Sequence, residues 1–320
     1  NATCATARVV PTGGTTSYVA DDTRTGGPRF AASGCGFGTA ADNTLYYAVT
    51  VPANSTTTMT TDSATDLVVA RADSCGAATC AVSSDEPETL TVTNATGAPV
   101  QHIFMVRAYS GLGGLVDVTF STSAIPTAIP AMCVNMASAT VIADIDVDDA
   151  VSDAIALPFP VSFFGTTMTH FAASSNGNIQ LFPNSSGVGN DEFSNVTMPT
   201  SDSPNALVAP FWDDLRPNTG ADVRTLTSGV AGSRIFTVQW TNWRASSSGM
   251  EALTFQLQMA ETSGVIEFHY CTMTPGASGT IHTGSSATIG LENATGGFAR
   301  LQSFNMANAV MTGSGFRFTP

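Results

Sequence analysis

The sequence predicts an all-β protein: two tandem antiparallel β-sandwiches, jelly-roll-like and disulfide-stabilised. Three observations carry this. Apolar and polar residues alternate with period two in many short runs, such as Leu253-Thr-Phe-Gln-Leu-Gln-Met259, the mark of a half-buried strand. Gly, Asn, Asp and Pro punctuate these runs at the roughly 8–12-residue spacing of sandwich folds. No stretch keeps a helical period over three turns.

Residues 1–122 form the first predicted unit. Its strands are read at Leu45–Val51, Thr56–Thr61, Leu67–Arg71, Glu88–Thr93, His102–Tyr109 and Leu115–Phe120. Residues 123–131 contain Pro126 and Pro130, carry no charge and read as a short extended linker. Residues 132–320 form the second unit. Val141–Asp149 alternates Val141, Ala143, Ile145 and Val147 against Ile142, Asp144, Asp146 and Asp148, which reads as a strand with an acidic outer face. Leu157–Gly165 and Ser175–Phe182 follow, the latter carrying an Asn176-Gly177 turn signal. The central stretch is Ala209-Pro-Phe-Trp-Asp-Asp-Leu215, then Arg234–Trp243, then a hairpin of Leu253–Met259 and Val265–Cys271. All three tryptophans lie there. Ala287–Asn293 and Gly315–Pro320 close the set. The end segments Ala5–Val10 and Phe316–Pro320 are β-prone and are expected to pair within their own domains.

Charged residues are only 11% of the chain, and its eleven basic residues are all arginine. With no lysine amine, Lys–Asn isopeptide bonds, Schiff bases and P-loop phosphate chemistry are excluded within the chain. A net charge of −14 argues against nucleic acid, which needs a basic patch, and against an anionic membrane surface. No run of apolar residues is long enough to span a bilayer as a helix. No signal peptide is recognised, and Asn1 reads as a processed N-terminus.

Six cysteines without a Cys-x-x-Cys point to disulfides and an oxidising compartment. The pairing Cys4–Cys35, Cys75–Cys80 and Cys133–Cys271 keeps each bridge inside one predicted domain. Six Asn-x-Ser/Thr sequons start at Asn1, Asn54, Asn94, Asn184, Asn195 and Asn293, a number near chance for so Ser/Thr-rich a chain.

In the first unit, Cys4-Ala-Thr-Ala, Cys35-Gly-x-Gly, Asp42–Tyr47, Thr65-Asp-Leu-Val-Val, Arg71–Cys75 and Val106–Tyr109 together resemble the pre-peptidase C-terminal domain of secreted bacterial proteins. That resemblance implies a small accessory β-sandwich without catalysis, in some members Ca²⁺-dependent or matrix-binding. In the second unit the order is Phe-Gly165, Ser175-Asn-Gly177, Ala209–Asp214, Gln239-Trp-x-Asn242, Ile266-x-Phe-x-Tyr270 and Ala287–Asn293. This order resembles the nidogen-type (NIDO-like) extracellular β-domains over about residues 155–295. It implies an extracellular module and brings no catalytic residues.

Candidate site residues have two readings each. Asp213 and Asp214 suit a Ca²⁺ site by their paired carboxylates; otherwise they cap a strand end after an inward Trp212. Asp144, Asp146 and Asp148 offer a second Ca²⁺ candidate; otherwise they are the solvated face of a strand, with i and i+2 carboxylates roughly 7 Å apart and blocking unwanted pairing. Trp212 and Trp240 read as core. Trp243, followed by Arg244-Ala-Ser-Ser-Ser-Gly, is the candidate for an exposed ligand surface. His102, His170, His269 and His282 show no His-Glu-x-x-His spacing, and no Gly-x-Ser-x-Gly elbow is present. The expectation is a non-catalytic extracellular structural or adhesive protein, a subunit of a bacterial surface assembly or fibre. Its partners would be copies of itself, other surface proteins or polysaccharide, with Ca²⁺ as the one cofactor considered. A secreted carbohydrate- or matrix-binding module is the first alternative, and a hydrolase with an unrecognised site the second.

Overall fold

The computed structural model describes residues 2–28, 42–84, 88–110, 113–245, 250–276 and 279–319. Cys35, the Asn1 sequon and the side chain of Asp42 lie outside the described residues. The chain divides into two compact units, Asn1–Ile125 and Pro126–Pro320.

Unit 1 contains β1 (Arg8–Val10), β2 (Gly14–Asp22), β3 (Gly27–Pro28), β4 (Asp42–Val51), β5 (Ser55–Asp62), β6 (Leu67–Ala72), β7 (Val82–Ser84), β8 (Thr89–Asn94), β9 (Val100–Ala108) and β10 (Leu115–Ala124). Among the described residues one sheet has the order β1-β4-β9-β6-β7, with β3 also on β4, and the other β2-β10-β5-β8. Leu45, Tyr47 and Val49 of β4 and Phe104 and Val106 of β9 face Met59, Leu90, Val118 and Phe120 of the second sheet. Phe104 and Phe120 meet edge to face at 5.6 Å. The period of two is plain in β5, where Thr57 and Met59 are buried and Thr56, Thr58 and Thr60 are not. The N-terminal segment pairs inside its own unit, β1 lying parallel to β4 with Arg8 opposite Tyr47.

The disulfides of unit 1 depart from the expected pairing. Cys4 bonds Cys75, with Cα atoms 5.6 Å apart, so neither Cys4–Cys35 nor Cys75–Cys80 forms; Cys80 is disulfide-bonded as well. Cys4 and Cys80 both pack on an apolar outer patch of the first sheet, made by Tyr46, Ala48, Ala70, Ala72, Ile103 and Met105.

The stretch 123–131 is not a free linker. β10 continues to Ala124, opposite Ser55. Unit 2 begins at once with β11 (Thr127–Pro130), which pairs with β23 (Ser314–Phe318). β11 is an edge strand, where proline removes no needed ladder bond.

Between these strands unit 2 holds β12 (Thr140–Val141), β13 (Ile155–Phe163), β14 (Thr166–Ser174), β15 (Asn178–Phe182), β16 (Leu207–Trp212), β17 (Arg216–Ser228), β18 (Ile235–Arg244), β19 (Ala252–Ala260), β20 (Ile266–Thr274), β21 (Thr288–Glu292) and β22 (Ala299–Phe304). Among the described residues a seven-stranded sheet has the order β11-β23-β20-β19-β18-β17-β12, and a six-stranded sheet β13-β14-β15-β16-β21-β22. The predicted hairpin is β19–β20, with Leu257 opposite Phe268. The two sheets enclose one core. In it Trp240 stacks on Phe255 at 5.2 Å, and Phe171 of one sheet meets Phe236 of the other, also at 5.2 Å. Each such buried side chain contributes roughly 1.5–3 kcal/mol. Two polar bonds cross this core: the Trp240 indole N–H donates to the Ser174 carbonyl at 2.8 Å, and the Tyr270 hydroxyl to the Pro210 carbonyl at 2.7 Å.

Trp243 is not an exposed ligand surface. It is fully buried, in the same core, and its indole N–H donates to the Asp222 carbonyl at 3.0 Å. A bulge after Trp240 shifts the register of β18, so Trp240 and Trp243, three apart, both face inward.

Cys133 bonds Cys271, with Cα atoms 5.9 Å apart, across a separation of 138 residues. On the chain-entropy model a loop of this length stabilises by at most about 5 kcal/mol. The double variant Cys133→Ser/Cys271→Ser is therefore expected to lower the midpoint of the unit 2 unfolding transition in calorimetry while leaving that of unit 1 unchanged.

Candidate functional site

Ser174, Ser175, Asn176 and Asn178 surround the tight turn between β14 and β15, and all four are fully buried. Gly177 takes φ +73°, and a Cβ there would sit 2.0 Å from the Phe211 carbonyl oxygen, so only glycine fits. The Asn176 side chain accepts from Leu215 N–H at 3.0 Å and donates to Asp149 Oδ1 at 3.2 Å and the Asp191 carbonyl at 3.1 Å. Its backbone carbonyl accepts from Asp213 N–H, and the Gly177 carbonyl from Phe211 N–H. The Ser-Asn-Gly and Phe-Trp-Asp-Asp motifs thus lock into each other.

Asp213 is buried in this lock. Its Oδ2 accepts from the Ser286 hydroxyl at 2.6 Å and its Oδ1 from Asp214 N–H at 3.0 Å. Burial outweighs those bonds and raises its pKa to about 7. Asp214 points elsewhere and joins Asp148 and Asp149, the three carboxylates lying within 4.8 Å of one another. Arg216 spans the group, 2.9 Å from Asp148 and 3.6 Å from Asp214. Burial raises the Asp148 pKa while Arg216 opposes it.

Asp144 and Asp146 lie outside this group, because the predicted strand is absent beyond Val141. Residues 142–150 form turns, with Asp144 and Asp149 at φ +62° and +52°. The inward residues are Ile142 and Ile145, three apart, while Val141 and Val147 are about half exposed.

Both outer faces of unit 2 lie under irregular chain. On the seven-stranded sheet the cover is the segment after β11. Val134 N–H donates to Gln256 Oε1 at 2.9 Å, Gln256 Nε2 to the Val134 carbonyl at 2.7 Å, and Gln258 Nε2 to the Met132 carbonyl at 3.0 Å. Met132 N–H donates to His269 Nδ1 at 3.2 Å. That bond leaves the His269 proton on Nε2, 3.1 Å from Glu267. Burial lowers the His269 pKa, against the opposing pull of Glu267. On the six-stranded sheet the cover is residues 183–206. Gln180 clasps Asn190 through two bonds of 2.7 Å, and the Trp212 indole donates to the Glu192 carbonyl at 2.9 Å. Thr288 holds Asn195 and the Val196 carbonyl, and Thr200 N–H donates to Glu292 at 2.7 Å. Of the other histidines, His102 stands between Arg71 and Asp73, and His170 contacts the Thr169 hydroxyl.

In unit 1 the outer face of the β2-β10-β5-β8 sheet is lined by hydroxyls, most of them on exposed or half-buried residues. Ser17, Thr119, Thr60 and Thr89 form one rank across its four strands; Thr15, Ser121, Thr58 and Thr91 form the next; Ser123, Thr56 and Thr93 begin a third. Neighbouring hydroxyls lie 2.9–3.2 Å apart at Ser17–Thr119, Thr58–Thr91, Thr56–Thr93 and Thr15–Ser121. Ranks repeat at about 6.6 Å along a strand and about 4.8 Å across strands. Sequence reading gave these threonines no role; the signal was Thr/Ser at every second position of four strands.

The sequons differ in access. Asn94 is buried, and its Nδ2 donates to the carbonyls of Val51, Pro52 and Ala98. Asn195 spends its Nδ2 on Thr288 and Asn305. Asn54 and Asn184 are exposed.

The raised pKa of Asp213 has a definite consequence. Its folded-state value of about 7 lies above the unfolded 3.8, so the folded state binds the proton more tightly. Its contribution is greatest near pH 4 and is lost as pH rises through about 7. Thermal melts of wild type and Asp213→Asn between pH 5 and 8 are expected to diverge, the wild type losing stability relative to the variant towards pH 8.

A family model described as NIDO related matches residues 127–318. No curated protein and no solved structure matches the chain. The matched residues comprise both sheets of unit 2, the Asn176 lock and both covers, and they are more than half of the chain. The protein belongs to the NIDO-related family.

Proposed function

We propose that this chain is a non-catalytic, secreted structural or adhesive protein that acts in a bacterial surface assembly. The observation that carries the reading is the hydroxyl face of unit 1. Its three ranks of Thr and Ser are uncharged, with the carboxylates Asp117 and Asp62 opposite each other at one end of the face, so packing of the ranks themselves against another neutral surface desolvates no ion. The bridges Cys4–Cys75 and Cys133–Cys271 suit an oxidising, extracellular setting. The two-sheet sandwich of unit 1 supports its reading as an accessory module of the pre-peptidase C-terminal kind. Calcium has no part in this proposal, because the Arg216 guanidinium already bridges Asp148 and Asp214.

The same face favours one second reading, a module that binds neutral polysaccharide through its hydroxyls. The variant Thr58→Arg/Thr119→Arg places two cations at the centre of the face, at positions that are not buried. Wild type is expected to form assemblies visible by electron microscopy and light scattering, and the folded variant to remain dispersed. Retention of wild type alone on insoluble neutral polysaccharide, without assembly, would replace the first reading by the second. Equal behaviour of wild type and variant in both measurements contradicts both.

A further inference from the structure

Residues 183–206 make an unusually long connection without a strand; loops beyond about 12–15 residues are uncommon in compact domains. Among the described residues, the side chains of the six-stranded sheet and its turns that hold it include Thr169, Asn176, Gln180, Trp212, Thr288, Asn305 and Glu292. All but Glu292 are neutral at every physiological pH. Glu292 is the one that titrates, and it holds the far half of the segment.

Glu292 is fully buried. Its Oε1 accepts from Thr200 N–H, and its Oε2 is buried without a hydrogen-bond partner. The charged groups nearest along the chain are accounted for. Arg300 on β22 is directed at the Thr319 carbonyl and the Phe318 ring. Glu192 accepts from Ser194 N–H, while Asp191 and Asp202 are exposed. A neutral Glu292 keeps the Thr200 bond through its carbonyl oxygen. An ionised one places a charge in the interior with half of its acceptors empty, which is costly unless water reaches it. Burial accordingly raises the Glu292 pKa to about 7.

We propose that residues 197–206 are a proton-operated cover, seated on the six-stranded sheet while Glu292 is neutral and released when it ionises. Seating buries Met198 beside Leu207, Ala209 and Trp212. Release hydrates Glu292 and uncovers that apolar patch.

Hydrogen exchange of the intact chain, corrected for intrinsic rates, tests this between about pH 5.5 and 8.5. Protection in peptides spanning 197–206 is expected to fall at least ~10-fold over that range, as linkage to one proton requires. Glu292→Gln is expected to remain protected throughout, and Asp213→Asn to keep the wild-type response. A wild-type response that survives in Glu292→Gln, or protection independent of pH in the wild type, overturns the proposal. The carboxyl ¹³C shift of Glu292 in the wild type provides a check that needs no variant. Titration in step with the exchange supports the proposal, and titration below pH 5 overturns it.

Discussion

The structure of unit 2 depends on the amide of Asn176. Four separate parts of the chain end on the turn that carries it. Asp149 brings in the acidic turns, Asp191 the cover of the six-stranded sheet, and Leu215 the corner between β16 and β17. Trp240 reaches the same turn from the opposite sheet through the Ser174 carbonyl. An amide serves here because it donates and accepts at once; a carboxylate or an alkyl group of the same size would leave buried partners empty. Gly177 is the steric half of the same constraint, since the Phe211 backbone occupies the space a side chain would need.

Much of this was legible in the sequence. Period-two alternation located the hairpin Leu253–Cys271, and the run Thr56–Thr61 announced β5. What failed has physical causes. Gln256 and Gln258 alternate with core residues and read as a wet face, yet both are buried. Chain from far away in sequence covers them and satisfies their amides, and no local pattern reports a cover. Val141–Asp149 satisfied the strand period by composition alone, whereas Ile142 and Ile145 face inward from turns. Cys4 and Cys75 lie 71 residues apart and come within bonding distance only once unit 1 has folded, a contact that short separation along the chain does not report. Trp243 was misplaced by its serine-rich neighbours; the bulge in β18 that turns it inward leaves no mark in a simple alternation.

The candidate site was legible in part. Asp148 and Asp214 were singled out and do meet, but with Asp149 and around Arg216, an arrangement that a survey of carboxylates does not reveal. Asp213 was singled out for the wrong chemistry: it is an internal acceptor for Ser286. A chain with so few charges meets its interior polar needs with Asn, Gln, Ser and Thr. Its covers, cross-core bonds and hydroxyl face are three uses of that one composition. Neutral groups bury at low electrostatic cost when paired, and this leaves the few buried carboxylates conspicuous.

The Ser-Asn-Gly and Phe-Trp-Asp-Asp motifs, which lie within the residues matched by the NIDO-related family model, form an internal lock rather than a ligand site. Calorimetry of Asn176→Ala tests this central claim most directly. Losing the amide strands several buried donors and acceptors at about 1–3 kcal/mol each, which for a unit of this size corresponds to a fall on the order of 10 °C in its melting temperature. The account predicts a fall of that order confined to the unit 2 transition. A variant that melts with the wild type but has lost its capacity to assemble or to bind would contradict it.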